Sequence, residues 1–231
     1  MSPELTRIAI IPGLVIIIYI YSKDKVEKEP IGLILKLILY GSLCCFVAGT
    51  AEQIISNYVP SFPVGSLGEA ATEAFLVAGF CEELTKYLAL RIGSWRHPAF
   101  NYHFDGIVYG VSVAVGFALL ENLMYVSQYG LTTAIARAFT AVPLHAMCGI
   151  VMGILYSYSK KASKRGNHLI SLFFSMLAWI LPMIIHGIYD TLAMLRTQAT
   201  SILLIIFVVI LFVTLLKKVN KMSDMDQYSR L

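Results

Sequence analysis

Charge is scarce in this 231-residue chain: Asp, Glu, Lys and Arg make up 14% of it, against 58% hydrophobic residues. Soluble domains average roughly a quarter charged and about half apolar. The mean hydropathy of +0.73 departs in the same direction. This composition excludes an ordinary soluble domain. Cysteine is also sparse. Cys44, Cys45, Cys81 and Cys148 all lie in apolar runs with no C-x-x-C spacing, so they read as small buried hydrophobes rather than a disulfide framework or thiolate metal site. No long polar linker and no fixed-period repeat occurs. One transmembrane domain is therefore expected over residues 1–216, followed by a polar, loosely ordered cytoplasmic tail over 217–231. The first apolar run has no A-x-A-like cleavage site before Lys23 and reads as a retained span.

What is abundant is apolar runs. A bilayer core takes about 20 apolar residues as helix. Candidate spans are residues 5–21, 31–51, 70–90, 104–129, 134–158, 169–195 and 200–216. The expected fold is all-α, a polytopic membrane helix bundle of about seven transmembrane helices. The net charge of +4 could suggest nucleic acid, but the basic residues sit in short loops between spans. Of the 18 Lys and Arg, thirteen lie in one alternating set of loops and three in the other. The positive-inside rule then places the N-terminus outside and the C-terminus in the cytoplasm. No nucleic-acid partner is expected. The surroundings are a lipid bilayer.

Small residues recur at helix-packing spacing: Gly106 and Gly110, then Gly149 and Gly153. These read as close helix contacts within the bundle. Pro143 and Pro182 fall inside predicted spans and are expected to kink them. His97, His103 and His168 read as surface loop residues, and Asp105 as a helix-start residue.

Against this background a few ionisable residues stand out. Residues 79–90 read GFCEELTKYLAL, with Glu82, Glu83 and Lys86 in an apolar run. Glu121, His145, His186 and Asp190 lie within other spans, and Asn122 follows Glu121. Such groups are costly in lipid and face a partner or a cavity. At ~1.5 Å per residue, Glu82 lies roughly 18 Å, Glu121 about 12 Å, His145 about 16 Å and His186 about 13 Å from the outer ends of their spans. Four helices thus deliver polar groups to one height in the outer half of the bilayer. Residues four apart share a helix face, so Glu82 stacks with Lys86, Phe117 with Glu121, and His186 with Asp190. Glu83 points about 100° from Glu82, so one of the pair is expected to aim squarely into a given cleft and the other to brace a neighbouring helix or pair with Lys86. Each feature alone has a structural explanation: an ion pair, a capped contact, a bundle histidine. Their common height favours a site.

Peptide hydrolysis needs a water, a base and oxyanion donors. Buried carboxylates with nearby imidazoles supply these groups and could equally bind a divalent metal. H-E-x-x-H and G-x-S-x-G are absent, and Asp190 is the single deep aspartate, which excludes zincin, serine-hydrolase and aspartyl-dyad schemes.

The stretches DKVEKEP, GFCEELTKY, FDGIVYGVSVAVGFALLENLMY, RAFTAVPLHAMCGIVMG and HGIYD, spread over residues 24–190, together resemble the PrsW family of intramembrane proteases, within the broader CAAX-protease-like group. That group carries EExxxR, FxxxH and HxxxN patterns. Here they become Glu82-Glu83-x-x-Lys86, Phe117-x-x-x-Glu121 and His186-x-x-x-Asp190, departures that PrsW-like proteins share. The resemblance implies cleavage of a single-pass membrane protein near its outer juxtamembrane segment, typically an anti-sigma factor in a bacterial stress response. It implies a multi-pass protein of the bacterial plasma membrane.

The expected catalytic set is Glu82, Glu83, Glu121, His145, His186 and Asp190, with Lys86 and Asn122 in support. A metal, Zn²⁺ or another divalent ion, would be held by Glu82, Glu121, His145 and His186. A glutamate-only site stays open beside it. The alternative function is a proton- or ion-coupled transporter using the same cluster as a relay.

Overall fold

The computed structural model describes residues 3–226 and Leu231. The apolar runs form helices, and no β-strand occurs among the described residues. In order these are α1 (Pro3–Lys23), α2 (Ile31–Ile55), α3 (Leu67–Ala71), a π-helical stretch (Thr72–Gly79), α4 (Phe80–Ser94), α5 (His103–Tyr129), α6 (Leu131–Phe139), α7 (Ala141–Lys164), α8 (His168–Met194) and α9 (Gln198–Met225). Their starts reflect local chemistry. The side chains of Ser66, Asn167 and Thr197 accept the otherwise unpaired backbone N–H groups of Glu69, Ile170 and Thr200. Gly130 and Gly166, at φ 78° and 74°, break α5 from α6 and α7 from α8 in a conformation that favours glycine.

Six segments are long and apolar enough to cross a membrane: Pro3–Lys23, Ile31–Ile55, His103–Tyr129, Leu131–Lys164, His168–Met194 and Gln198–Met225. The chain is a polytopic all-α bundle. The remaining predicted span, 70–90, falls on the unbroken run from α3 through the π-helical stretch to α4. Its charged residues, rather than its length, keep it out of the apolar set.

The core is α5 packed on α7, with α1 and α2 against α5, and α8 against α7 and the π-helical stretch. The predicted glycine pairs make this possible. A Cβ on Gly110 would lie 2.4 Å from the Gly149 carbonyl oxygen, and one on Gly153 would lie 2.1 Å from that of Gly106. Backbone therefore meets backbone at this crossing. The outside is apolar: Ile202, Ile205, Ile206 and Ile210 on α9, and Leu169 and Phe173 on α8, are exposed. Large apolar surface faces outward and charged groups face inward, the arrangement a bilayer demands.

Several local expectations change. Pro143 lies in the first turn of α7, where its missing N–H is harmless, and the break comes before it at Thr140. Pro182 does lie inside α8. His103 is buried and within 3.2 Å of Lys161 Nζ, because it opens α5 instead of sitting in a loop. Asp105 is a helix-start residue, its Oδ2 accepting the backbone N–H groups of Asn101 and Tyr102 at 2.8 and 2.6 Å. All four cysteines are buried and free.

The segment after Leu216, expected to be loose, continues as helix through Met225. Its end is tied down: Asp226 Oδ1 accepts from the Phe104 N–H at 3.0 Å, Ser223 Oγ donates to the Lys23 carbonyl, and the Leu231 N–H donates to the Asn101 carbonyl at 2.7 Å. At this end, burial pushes the Asp24 carboxyl above its usual range and Asp226 up to about 6. Burial, reinforced by neighbouring Asp105, pushes Glu29 up to about 9.

Candidate active site

The polar residues on α4 are placed by the π-helical stretch before them. An extra residue per turn rotates the helix beyond it, a device found often at functional sites. The stretch itself packs closely against α8: a Cβ on Gly79 would lie 3.2 Å from the Met183 carbonyl oxygen, and one on Gly187 would lie 2.4 Å from the Phe75 ring. Glu82, Glu83 and Lys86 then face α7 and α8.

Lys86 is the hub. It is fully buried, and its Nζ donates to Glu82 Oε2 at 2.9 Å and to Glu83 Oε1 at 2.8 Å, and lies 3.1 Å from His145 Nδ1. The Phe117 ring from α5 lies 3.9 Å below it, a cation–π contact. An ammonium can only donate, so His145 Nδ1 accepts. The remaining ring proton is on Nε2, which donates to Glu121 Oε2 at 2.8 Å. Glu121 is gripped on its other side by Arg137 Nη2 at 2.7 Å. On α8, His186 Nδ1 lies 2.9 Å from Glu83 Oε1 and 3.8 Å from Glu82 Oε2, and its Nε2 lies 3.3 Å from Asp190 Oδ2. The two imidazoles meet edge to face, with centroids 5.1 Å apart.

The six predicted acids and histidines, with Lys86, thus form one connected network drawn from α4, α5, α7 and α8. As expected for the second glutamate of the pair, Glu83 pairs with Lys86 and braces α8 through His186. Glu82 and Glu83 both reach Lys86 and His186, because Lys86 stands at i+4 from one and i+3 from the other and collects both carboxylates. Asn122 joins the network only through Arg137. It accepts from Arg137 Nε at 3.0 Å and donates to the Ala9 carbonyl at 3.0 Å, bracing α5 to α1.

Two participants were missed. Arg137, counted in the sequence as an outer-loop residue, lies on α6 and clamps Glu121. The signal for it was its place in the stretch RAFTAVPLH, eight residues before His145. Glu52 on α2 adds a further carboxylate to the electrostatic surroundings of Glu121, Lys86, His186 and Asp190. Nothing in its spacing distinguished it from the end of a span.

The inner part of this network is dry. Glu83 and Lys86 side chains are fully buried, whereas Asp190, Arg137 and Glu121 keep 19%, 16% and 14% of theirs exposed. Those three are the network's most exposed members.

The donor chemistry fits a divalent ion. Glu82, Glu83, His145 and His186 each offer an atom, all within 4.8 Å of one another, and Glu83 Oε2 is buried without a partner. The set differs from the expected one. Glu83 takes the place of Glu121, whose Oε2 is engaged by Arg137 and His145. The Lys86 ammonium occupies the same donors, as a built-in cation.

A polytopic helical bundle with carboxylates and imidazoles joined deep in its interior defines a multi-pass membrane protein with a buried polar centre. Comparison makes the class specific. The model of the PrsW family intramembrane metalloproteases matches residues 29–216. Relatives named protease PrsW include those of Shouchella clausii (33% identical over 220 residues, 95% of this chain and 97% of the relative), Geobacillus kaustophilus (32% over 195 residues, 84% and 82%) and Bacillus subtilis (32% over 181 residues, 78% of each). No solved structure matches. The chain belongs to the PrsW family. It is an intramembrane protease of a bacterial membrane, with a membrane-protein substrate. The transporter reading gives way to this membership.

Proposed function

We propose that the network around Lys86 is the catalytic centre, and that it cuts a single-pass membrane protein of the anti-sigma-factor type near its outer juxtamembrane segment. The observation that carries this reading is the convergence of Glu82, Glu83, His145 and His186 from α4, α7 and α8 within 4.8 Å. The depth of these groups, together with the excess of basic residues in the opposite loops, supports cleavage in the outer half of the bilayer with a cytoplasmic C-terminus. The lineage of the substrate rests on the family resemblance.

Each residue has a distinct task. Glu82, the more accessible of the two adjacent glutamates, is the base that takes a proton from the attacking water. Glu83, fully buried, holds His186 and Lys86 in place. Asp190 orients His186 through Nε2, and substrate entry exchanges that 3.3 Å contact for one to the developing oxyanion. Arg137 fixes Glu121, which fixes the His145 ring. A divalent ion held by Glu82, Glu83, His145 and His186 would supply Lewis acidity toward water and the scissile carbonyl. Glu121 would then be the outer carboxylate that sets the His145 tautomer.

Purified protein in proteoliposomes with a single-span substrate provides the test. Cleavage should be lost in Glu82→Ala and His186→Ala while both variants remain monodisperse. Full activity in both would reject the assignment. Substrate identity is checked separately, by exchanging the outer juxtamembrane segment of an anti-sigma factor for an unrelated one and mapping the cut. Unchanged cleavage would reject the proposed substrate class and leave the centre standing.

A further inference from the structure

At the end of α5 opposite the Glu/His network, three carboxylates from distant parts of the chain converge. Asp24 lies in the α1–α2 loop, Asp105 in the first turn of α5 and Asp226 directly after α9. One oxygen of each lies within 4.8 Å of the others, and each residue is 1% exposed. In every case one oxygen is used by the backbone. Asp24 Oδ2 accepts from the Glu29 N–H at 3.1 Å, Asp105 Oδ2 from Asn101 and Tyr102, and Asp226 Oδ1 from Phe104. The other oxygen of each, Asp24 Oδ1, Asp105 Oδ1 and Asp226 Oδ2, is buried and receives no N–H or hydroxyl donor; Asp105 is close enough to the Glu29 carboxyl to share a hydrogen bond with it when one of the two is protonated. Glu29, also buried, stands beside Asp105 and accepts from the Tyr109 hydroxyl.

Among the described residues no lysine or arginine forms an ion pair with these acids. Lys28, whose charge acts on Asp24, donates instead to the Tyr21 and Ser22 carbonyls at 2.6 and 3.4 Å. Crowded buried carboxylates with unused oxygens are unfavourable unless something positive joins them. The unused donors are all oxygen, with no imidazole or thiolate. That suits hard cations and not zinc.

We propose that Asp24, Asp105 and Asp226, with Glu29 beside them, form a second cation site, for a hard divalent ion of the Mg²⁺/Ca²⁺ class, which fastens the end of α9 to the α1–α2 loop and the start of α5. The site is separate from the proteolytic centre. Sixteen residues of α5 divide Asp105 from Glu121, about 24 Å of helix. Its occupant would act as a staple that sets the position of α9.

Full-length protein in detergent, stripped with EDTA, is titrated with Mn²⁺ and followed by electron paramagnetic resonance. Competition by Ca²⁺ and Mg²⁺ and thermal unfolding are measured alongside. The proposal expects a saturable Mn²⁺ site that survives His186→Ala, is displaced by Ca²⁺ or Mg²⁺, and weakens at least tenfold in Asp226→Asn. It also expects a saturable rise in melting temperature of several degrees in the parent and in His186→Ala, but not in Asp226→Asn. If Asp226→Asn is not monodisperse, Asp24→Asn takes its place, since it leaves the Asp226 cap on Phe104 intact. No saturable Mn²⁺, or binding lost in His186→Ala and kept in the aspartate variants, overturns it. In the first case the carboxylates share protons. In the second the ion belongs to the Glu/His network.

Discussion

Two buried acid clusters sit at opposite ends of α5, and they are balanced differently. The Glu/His network carries its own cations: Lys86 between Glu82 and Glu83, and Arg137 against Glu121. The Asp24–Asp105–Asp226 cluster has backbone donors on one oxygen of each carboxylate and no basic partner among the described residues. In the first, charge is neutralised by side chains that reacting groups could displace. In the second, three carboxylates meet, each with a buried oxygen that no N–H or hydroxyl reaches. Under the two proposals made above, the contrast separates a cluster that rearranges during chemistry from one that holds three chain segments together.

The sharpest way to break this contrast is at the reacting group. Glu82→Gln removes the proposed base and keeps the shape, so turnover of a reconstituted single-span substrate should fall by about 10²- to 10⁴-fold. Near-wild-type turnover would put the chemistry elsewhere. Lys86→Met comes next. It leaves two buried carboxylates without their cation and should destabilise the protein by about 3–5 kcal/mol in detergent unfolding. Combining it with Glu83→Gln should recover part of that loss, and strict additivity would show that Lys86 is not the hub. Gly153→Ala tests the frame on which both clusters hang. Its methyl would meet the Gly106 carbonyl, at a cost of about 1–3 kcal/mol and with similar loss at both ends. The smallest effect belongs to Asp226→Asn under chelation, where removing one of several crowded charges should change stability by no more than about 1 kcal/mol. A large loss there would show the aspartate cluster to be self-sufficient without an ion.

The legible parts of the site were those written in helix periodicity. His186 and Asp190 stack as i and i+4 residues should, Lys86 reaches Glu82 in the same way, and the glycine pairs mark the α5–α7 crossing. Arg137 was hidden because a loop residue and a short amphipathic helix folded back against the bundle look alike over nine positions. Glu83 was expected in the catalytic set but left out of the ligand set, because helical angles describe where Cβ points, whereas a glutamate chain long enough to bend toward a central ammonium need not keep to that direction. The helical end of α9 was hidden by its polarity. Its anchors, Lys23, Phe104 and Asn101, are more than a hundred residues away in sequence.

The sequence by itself determined a lipid-embedded helical bundle and the costly polar residues inside it. Hydrophobic length and the expense of buried charge act locally and are read residue by residue. Tertiary structure alone decided which carboxylates share a cation, that Arg137 joins the network and Glu83 rather than Glu121 the possible ligand set, and that three aspartates from the two ends and the middle of the chain meet. Those outcomes depend on how the π-helical stretch turns α4 and how closely glycine lets α5 approach α7, and such rotations and distances leave no periodic trace in the chain.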